Sequence, residues 1–337
     1  MNIQQAIASV VARTDLSGDE MTEVMRQIMT GECTPSQIGG FLIGLRMKGE
    51  TVDEIAAAAQ VMRDLVTPVV LNTENLVDVV GTGGDSSGTF NISTASAIVA
   101  AAAGARVAKH GNRSASSNSG AADLLEAAGV NLEIGPEKIV ECVEQVGVGF
   151  MFAVKHHGAM KHAIGPRKEM ATRTIFNVLG PLTNPAGAPN QVLGVYSREL
   201  VEPIAQVLKK LGSRHVMVVH ADDGMDEISI CSPTFVAELK DGKIDTRVIE
   251  PAQFSMPLAD IKDIQVDGPM QSLSVINAVF SGQAGAAQDI VCLNAGATIY
   301  VAGLSDSHEG GVEIARQVIA SGAAAKTLQK LVEFSNE

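Results

Sequence analysis

The sequence predicts an α/β protein: a small all-helical domain followed by a large α/β domain with a mainly parallel central sheet covered by helices. Three observations carry this reading. The first seventy or so residues show helix signals only. From near Leu71 onward, short apolar runs alternate with helical patterns, as parallel strands with crossover helices require. The chain has 337 residues, enough for about two domains at roughly 150 residues each.

In the helical part, Ser17 with Glu20, Thr34 with Gln37 and Thr51 with Glu54 form three capping boxes. In each, a hydroxyl accepts from a free helix-start amide and the later side chain reaches back. Pro35 sits at a first helical position, and Ile38, Phe41, Leu42 and Leu45 follow at helical spacing. The pattern then changes period. Leu76 to Val80 reads as a buried strand ending at Gly81, and Arg106 to Ala108, Gly149 to Val154, Val192 to Tyr196 and Val216 to His220 read likewise. Helical patterns cover Ser93 to Ala103, Gly120 to Ala128, Pro136 to Val146 and Glu199 to Leu211. Phe235 to Leu239, the turn Asp241-Gly242 and Thr246 to Ile249 predict an antiparallel hairpin. From Gln271 the chain reads as helical and rich in Ala. Between His156 and Pro189, three Gly-Pro or Asn-Pro pairs predict irregular structure, a crossover between the two parts.

Composition narrows the function. Hydrophobic residues make up 46% and charged residues 19%, the balance of a compact globular chain. The net charge of −13 disfavours a nucleic-acid partner. The four cysteines, Cys33, Cys142, Cys231 and Cys292, lack metal-type spacing and read as reduced thiols of a cytoplasmic protein. No leader sequence is expected at Met1 to Thr14, and the most apolar stretch, Ile92 to Val107, is too short to span a membrane.

Five clusters carry chemistry. Gly81-Thr82-Gly83-Gly84-Asp85 follows a strand directly, and its glycines let backbone amides close around an anion, although a plain tight turn is the simpler alternative. It has neither the Lys-Ser/Thr of a Walker loop nor dinucleotide-type glycine spacing. Asn91-Ile92-Ser93-Thr94 opens a helix, as an ordinary N-cap or as a second anion site. Lys109-His110-Gly111-Asn112-Arg113-Ser114-Ala115-Ser116-Ser117 crowds cations, an imidazole, an amide and hydroxyls at one strand end. Asp226 and Glu227, after another strand, suit a hard cation such as magnesium, or are a solvated acidic turn. Arg167 offers a planar fork for a carboxylate.

Taken in order, GTGGD, NIST, KHGNRSASS, the run from Arg173 to Ala186 and MDEIS from Met225 to Ser229 resemble the anthranilate phosphoribosyltransferases, of the nucleoside phosphorylase-like class, over nearly the whole chain. The resemblance implies an enzyme of tryptophan biosynthesis and a homodimer formed through the helical domain. It implies a helical domain of residues 1–70 joined by about 163–186, and a phosphoribosyl-pyrophosphate-binding domain of 71–162 and 187–337. Phosphoribosyl pyrophosphate would meet Gly81, Gly83, Gly84, Asp85, Thr89, Asn91, Ile92, Ser93, Thr94, the run Lys109 to Ser117, and Ala121. Anthranilate would meet Gly81, His110, Asn112 and Arg167. Ser93, Asp226 and Glu227 would hold magnesium, two ions per monomer. Asn118 and Ala121 stand where the family commonly has Lys and Ser, so any contact at Ala121 falls to its backbone. A pyrimidine nucleoside phosphorylase-like enzyme and a non-catalytic nucleic-acid-binding relative are the alternatives.

Overall fold

The computed structural model describes residues 1–73, 75–85, 87–114 and 119–337. Four helices come first: α1 (Ile3–Val11), α2 (Gly18–Thr30), α3 (Pro35–Lys48) and α4 (Val52–Leu65). The three expected capping boxes start α2, α3 and α4. A fourth, Asn2 with Gln5, starts α1 and was not anticipated.

The remainder is built on a sheet of seven strands in the order β3-β2-β1-β4-β5-β6-β7. These are β1 (Leu76–Gly81), β2 (Arg106–Gly111), β3 (Val148–Phe152), β4 (Asn190–Gly194), β5 (His215–Ala221), β6 (Thr234–Lys240) and β7 (Lys243–Ile249). The first five are parallel; β6 and β7 add the expected antiparallel hairpin. Helices α5 (Ile92–Ala102), α6 (Ala121–Ala127), α7 (Pro136–Gln145), α8 (Ala153–His156), α9 (Lys161–Met170), α10 (Phe176–Leu179) and α11 (Val201–Lys210) lie between strands. After the hairpin come α12 (Pro269–Phe280), α13 (Ala286–Val301), α14 (His308–Ala320) and α15 (Ala323–Ser335).

Two large cores explain the layering. On one side of the sheet, α5 and α13 pack with α12, α14 and α15. Helix α13 is buried on all sides from Ile290 to Val301, as its uniformly apolar sequence demands. On the other side, α11 turns Val201, Ile204, Ala205, Val207 and Leu208 inward, and that core runs on into the four-helix N-terminal region.

Several elements differ from expectation. Strand β2 runs to Gly111, not Ala108, because Lys109 and His110 are buried within the sheet although their side chains read as loop. Strand β3 stops at Phe152, and Ala153 and Val154 open α8. Strand β4 lies two residues earlier than expected and ends at Gly194. Helix α11 is preceded by a 3-10 turn, Arg198–Leu200, so its regular part starts later. The segment expected to be an irregular crossover holds α9 and α10, with Pro166 inside α9. Helix α9 packs on α2 and α3, so its apolar contacts override the Gly-Pro break.

Candidate active site

The chain leaves β1 for β2 on one side and later places β4 on the other, so β1 and β4 flank the switch point of the sheet. Ligands of open α/β sheets bind outside the carboxyl ends of strands at such a point. Here Gly81 and Gly194 are partners in register at the end of the β1–β4 ladder. Together they form a notch. A Cβ on Gly194 would lie 1.5 Å from the Asp226 carbonyl oxygen, and one on Gly81 2.3 Å from Asp226 Oδ2. The loop after β5 drops into this notch and brings its carboxylates over the glycine loop.

Asp226 is 8% exposed, and its Oδ2 accepts the Gly83 N–H at 2.7 Å. Asp85 lies close enough to share a hydrogen bond with Asp226, which requires a proton on one of the two. Burial first, then Asp85, pushes the Asp226 carboxyl up to about 7. Burial, followed by Asp226, also raises Glu227 well above the usual carboxylate range. The Glu227 carboxylate lies against the Ser93 amide at the start of α5. Asn91 makes no side-chain cap at that helix start, contrary to the ordinary N-cap reading. Its side chain instead donates to Ser119 O at 3.0 Å and accepts from Ser119 Oγ at 2.8 Å and Ser272 Oγ at 3.1 Å. A helix N-terminus beside an acidic cluster suits phosphate held through a cation.

Lys109 reaches across from β2. Its Nζ donates to Val79 O at 2.5 Å and to Ser93 Oγ at 3.3 Å. Burial lowers its ammonium, opposed by Asp78 and Glu227. The β1–β2 register pairs end at Val77 and Val107. Asp78 bridges the strands: Oδ1 accepts from His110 N at 3.2 Å and Oδ2 from Asn184 Nδ2 at 2.7 Å. Burial, only partly offset by Lys109, raises Asp78 to about 6. The His110 ring faces His157, Nε2 to Nε2 at 3.2 Å. Burial and then the neighbouring histidines depress His110 to about 3 and His157 to about 4, so both are neutral near pH 7.

Other expected residues sit further out. Arg113 is held by Glu126 at 2.7 Å and Asp123 at 3.1 Å rather than directed at the carboxylate cluster. Ser114 N donates to Asp123, and Asn112 is exposed, its carbonyl accepting from Ala122 N. Gly111 ends β2 facing Ala121, whose backbone starts α6. Thr89 pairs with Gln265 beside the loop, and Ile92 and Thr94 are buried in the first turn of α5. Ala115, Ser116, Ser117 and Asn118 lie outside the described residues. Arg167 occupies the last turn of α9, with its guanidinium 5.2 Å from the Phe176 ring centroid. No carboxylate pairs with it among the described residues, although burial pulls it below its ordinary value.

Four supporting residues carried no signal in the sequence. Asp78 and Asn184 join through the fold, although 106 positions apart. Asn294, buried on α13, clamps both backbone groups of Ile228 and so fixes Glu227 beside it. His157 lay among several histidines, and only the β3 register brings it to His110.

The donor set fits a hard divalent cation. Three carboxylates crowd together with Lys109 as the cation among them. Among the described residues no group of three or more His, Cys, Asp or Glu is arranged to hold a metal unaided. Magnesium is usually held by one or two protein carboxylates together with substrate phosphates.

Residues 73–325 match the family described as glycosyl transferase family, a/b domain, and residues 4–66 its helical bundle domain. Anthranilate phosphoribosyltransferase of Thioalkalivibrio sulfidiphilus is 65% identical over 335 residues, 99% of each chain. The chain belongs to the anthranilate phosphoribosyltransferase family. The Alkalilimnicola ehrlichii member is 57% identical over the full length of both. The crystal structure of the Thermus thermophilus enzyme superposes with a TM-score of 0.93 at 42% identity, covering 98% of this chain and 99% of that one. The Saccharomyces cerevisiae enzyme, described in complex with PRPP and Mg, gives 0.90 at 26% identity over 99% and 98%. The phosphorylase-like and nucleic-acid-binding alternatives gain nothing from these matches. No helix among the described residues is long and apolar enough to cross a membrane.

Proposed function

We propose that the chain transfers the phosphoribosyl group of phosphoribosyl pyrophosphate to the amine of anthranilate, giving N-(5-phosphoribosyl)anthranilate and pyrophosphate, in tryptophan biosynthesis. The observation that carries this reading is the crowding of Asp85, Asp226 and Glu227 against Lys109 and the start of α5. A divalent cation would join these carboxylates to a polyphosphate.

Magnesium held by Asp226, Glu227 and Ser93 would offset the charge that builds on the departing pyrophosphate. The chain's own groups do the rest. Backbone amides of Gly84, Asp85 and the first turn of α5 orient the phosphates, and Lys109 adds a positive charge. As the pyrophosphate leaves, the ribose carbon gains positive character, and the anthranilate amine attacks from the opposite face. That amine is already neutral, so positioning supplies most of the rate. Neutral His110 and His157, with Asn112, line the acceptor side without adding charge. Arg167 receives the anthranilate carboxylate, which explains a half-buried guanidinium without an acidic partner.

The packing of α9 on α2 and α3 supports a domain division at 1–70 with 163–186. A homodimer through the helical region is supported by Val11 and Met47, exposed on α1 and α3. Two magnesium ions per monomer suit the excess of carboxylates over Lys109, and a biosynthetic role suits the cytoplasm. The direct test is to mix the protein with both substrates and magnesium and follow loss of anthranilate fluorescence; no loss would overturn the reading. Arg167→Ala should raise the KM for anthranilate far more than that for phosphoribosyl pyrophosphate. A lost hydrogen bond to a charged group costs roughly 1.5–3 kcal/mol. Equal rises for both substrates would remove Arg167 from the acceptor site.

A further inference from the structure

Arg173 follows α9 by three residues, in the connection to α10. Its Nη2 donates to the Gly84 carbonyl, and its guanidinium lies 4.1 Å over the Tyr196 ring centroid. Tyr196 N donates to Thr82 Oγ1 at 3.0 Å, so this ring is itself tied to the glycine loop. On the far side, Arg46 Nη1, in the last turn of α3, donates to both Thr172 Oγ1 and Arg173 O at 2.5 Å. A continuous polar strut thus runs from the helical bundle through Arg46 and Arg173 to Gly84.

The consequence follows from peptide geometry. The Gly84 carbonyl and the Asp85 N–H belong to one planar group and point in opposite directions. Gly84, at φ +75°, has no Cβ to restrict its side of this peptide, so the peptide turns more freely there. Asp226 holds the Gly83 amide two peptides earlier, and Arg173 holds the Gly84 carbonyl of the 84–85 peptide.

We propose that Arg173 is a positioning residue for the phosphate-binding loop: it holds the Gly84 carbonyl outward so that the opposite amide faces the ligand, and Arg46 couples this arrangement to the helical bundle. The inference rests on the function proposed above. It is a role in ordering the loop, with no contact to the reacting atoms.

Steady-state kinetics of the full chain test it. Turnover by the unaltered protein tests the activity first; its absence would sink the function and not this assignment alone. Arg173→Met keeps length and packing over Tyr196 but removes the donor. It should raise the KM for phosphoribosyl pyrophosphate by about tenfold or more, the scale of a lost charged hydrogen bond, with a much smaller change for anthranilate. Arg173→Lys retains a donor and should recover part of the loss. Arg46→Met should raise the same KM in the unaltered background and add nothing in the Arg173→Met background, because the two act through one strut. An unchanged KM for phosphoribosyl pyrophosphate in Arg173→Met, or equal rises for both substrates, would overturn the proposal. If Arg173→Met does not fold, Arg46→Met decides: an unchanged KM there overturns it.

Discussion

Gly194→Ala should lose at least about a hundredfold in kcat/KM and melt several degrees below the unaltered protein. The new Cβ would sit 1.5 Å from the Asp226 carbonyl oxygen and 2.4 Å from its carbonyl carbon. Those are backbone atoms, so no side-chain rotation relieves the clash. Either β4 or the loop carrying Asp226 and Glu227 must move. Overpacking of this kind costs about 1–3 kcal/mol. A displacement near 1 Å at a reacting centre can cost about a hundredfold in rate. Gly81→Ala makes an informative partner. Its Cβ meets only the end of the Asp226 side chain, at 2.3 Å. That carboxylate can swing away at the expense of its bond to Gly83 N, so activity should fall with a smaller change in stability. Gly18→Ala, which meets nothing within 4 Å, serves as the neutral control. Calorimetric melting and initial rates on the three variants decide the matter. Normal rates in Gly194→Ala would mean that the notch does not set the position of the acidic loop.

The contrast between these glycines shows where sequence reading reached and where it stopped. Gly83 and Gly84 were legible because they cluster after an apolar run, and both adopt positive φ. Gly194 was not, since it looks like one more small residue inside a buried strand, and its meaning exists only in the β1–β4 register. The helical start was read well because capping boxes are local: Ser17, Thr34 and Thr51 each bond a residue three positions on. Helix α9 was misread for the opposite reason. Gly165 and Pro166 argue locally against a helix, and packing on α2 and α3 overrides them. Lys109 and His110 were read as loop because buried strands seldom carry such residues. Here each side chain finds a partner, Lys109 in the Val79 carbonyl and His110 in His157. Long-range pairs such as Asp78 with Asn184 leave no periodicity to detect. The acidic pair, by contrast, announced itself as two adjacent carboxylates after a strand, although nothing local showed that Asp85 would join them.

Asp226→Asn combined with Glu227→Gln should move stability and activity in opposite directions. Without metal the two carboxyls are held above their ordinary range, Asp226 at about 7, by burial first and by neighbouring carboxylates second. A carboxyl whose folded pKa is raised favours the fold only while protonated. Its ionisation therefore destabilises the metal-free protein progressively as pH rises from the ordinary carboxylate range, about 4, through about 7. Amides cannot ionise, and an Asn at 226 can still accept the Gly83 N–H through its oxygen and donate to Asp85. The double variant should thus melt higher than the unaltered protein at pH 8 in the presence of a chelator, with the advantage fading toward pH 4. Activity should fall at least about a hundredfold, the scale on which groups that stabilise developing charge contribute. Its magnesium titration should shift to higher concentration, and added magnesium with phosphoribosyl pyrophosphate should no longer raise the melting temperature as it does for a protein that binds them. Opposite signs are the expectation for charges kept in place for ligand rather than for the fold. A double variant that melts lower at pH 8 would show that these carboxylates hold the loop together. One with an unaltered magnesium titration would show that they do not bind the ion.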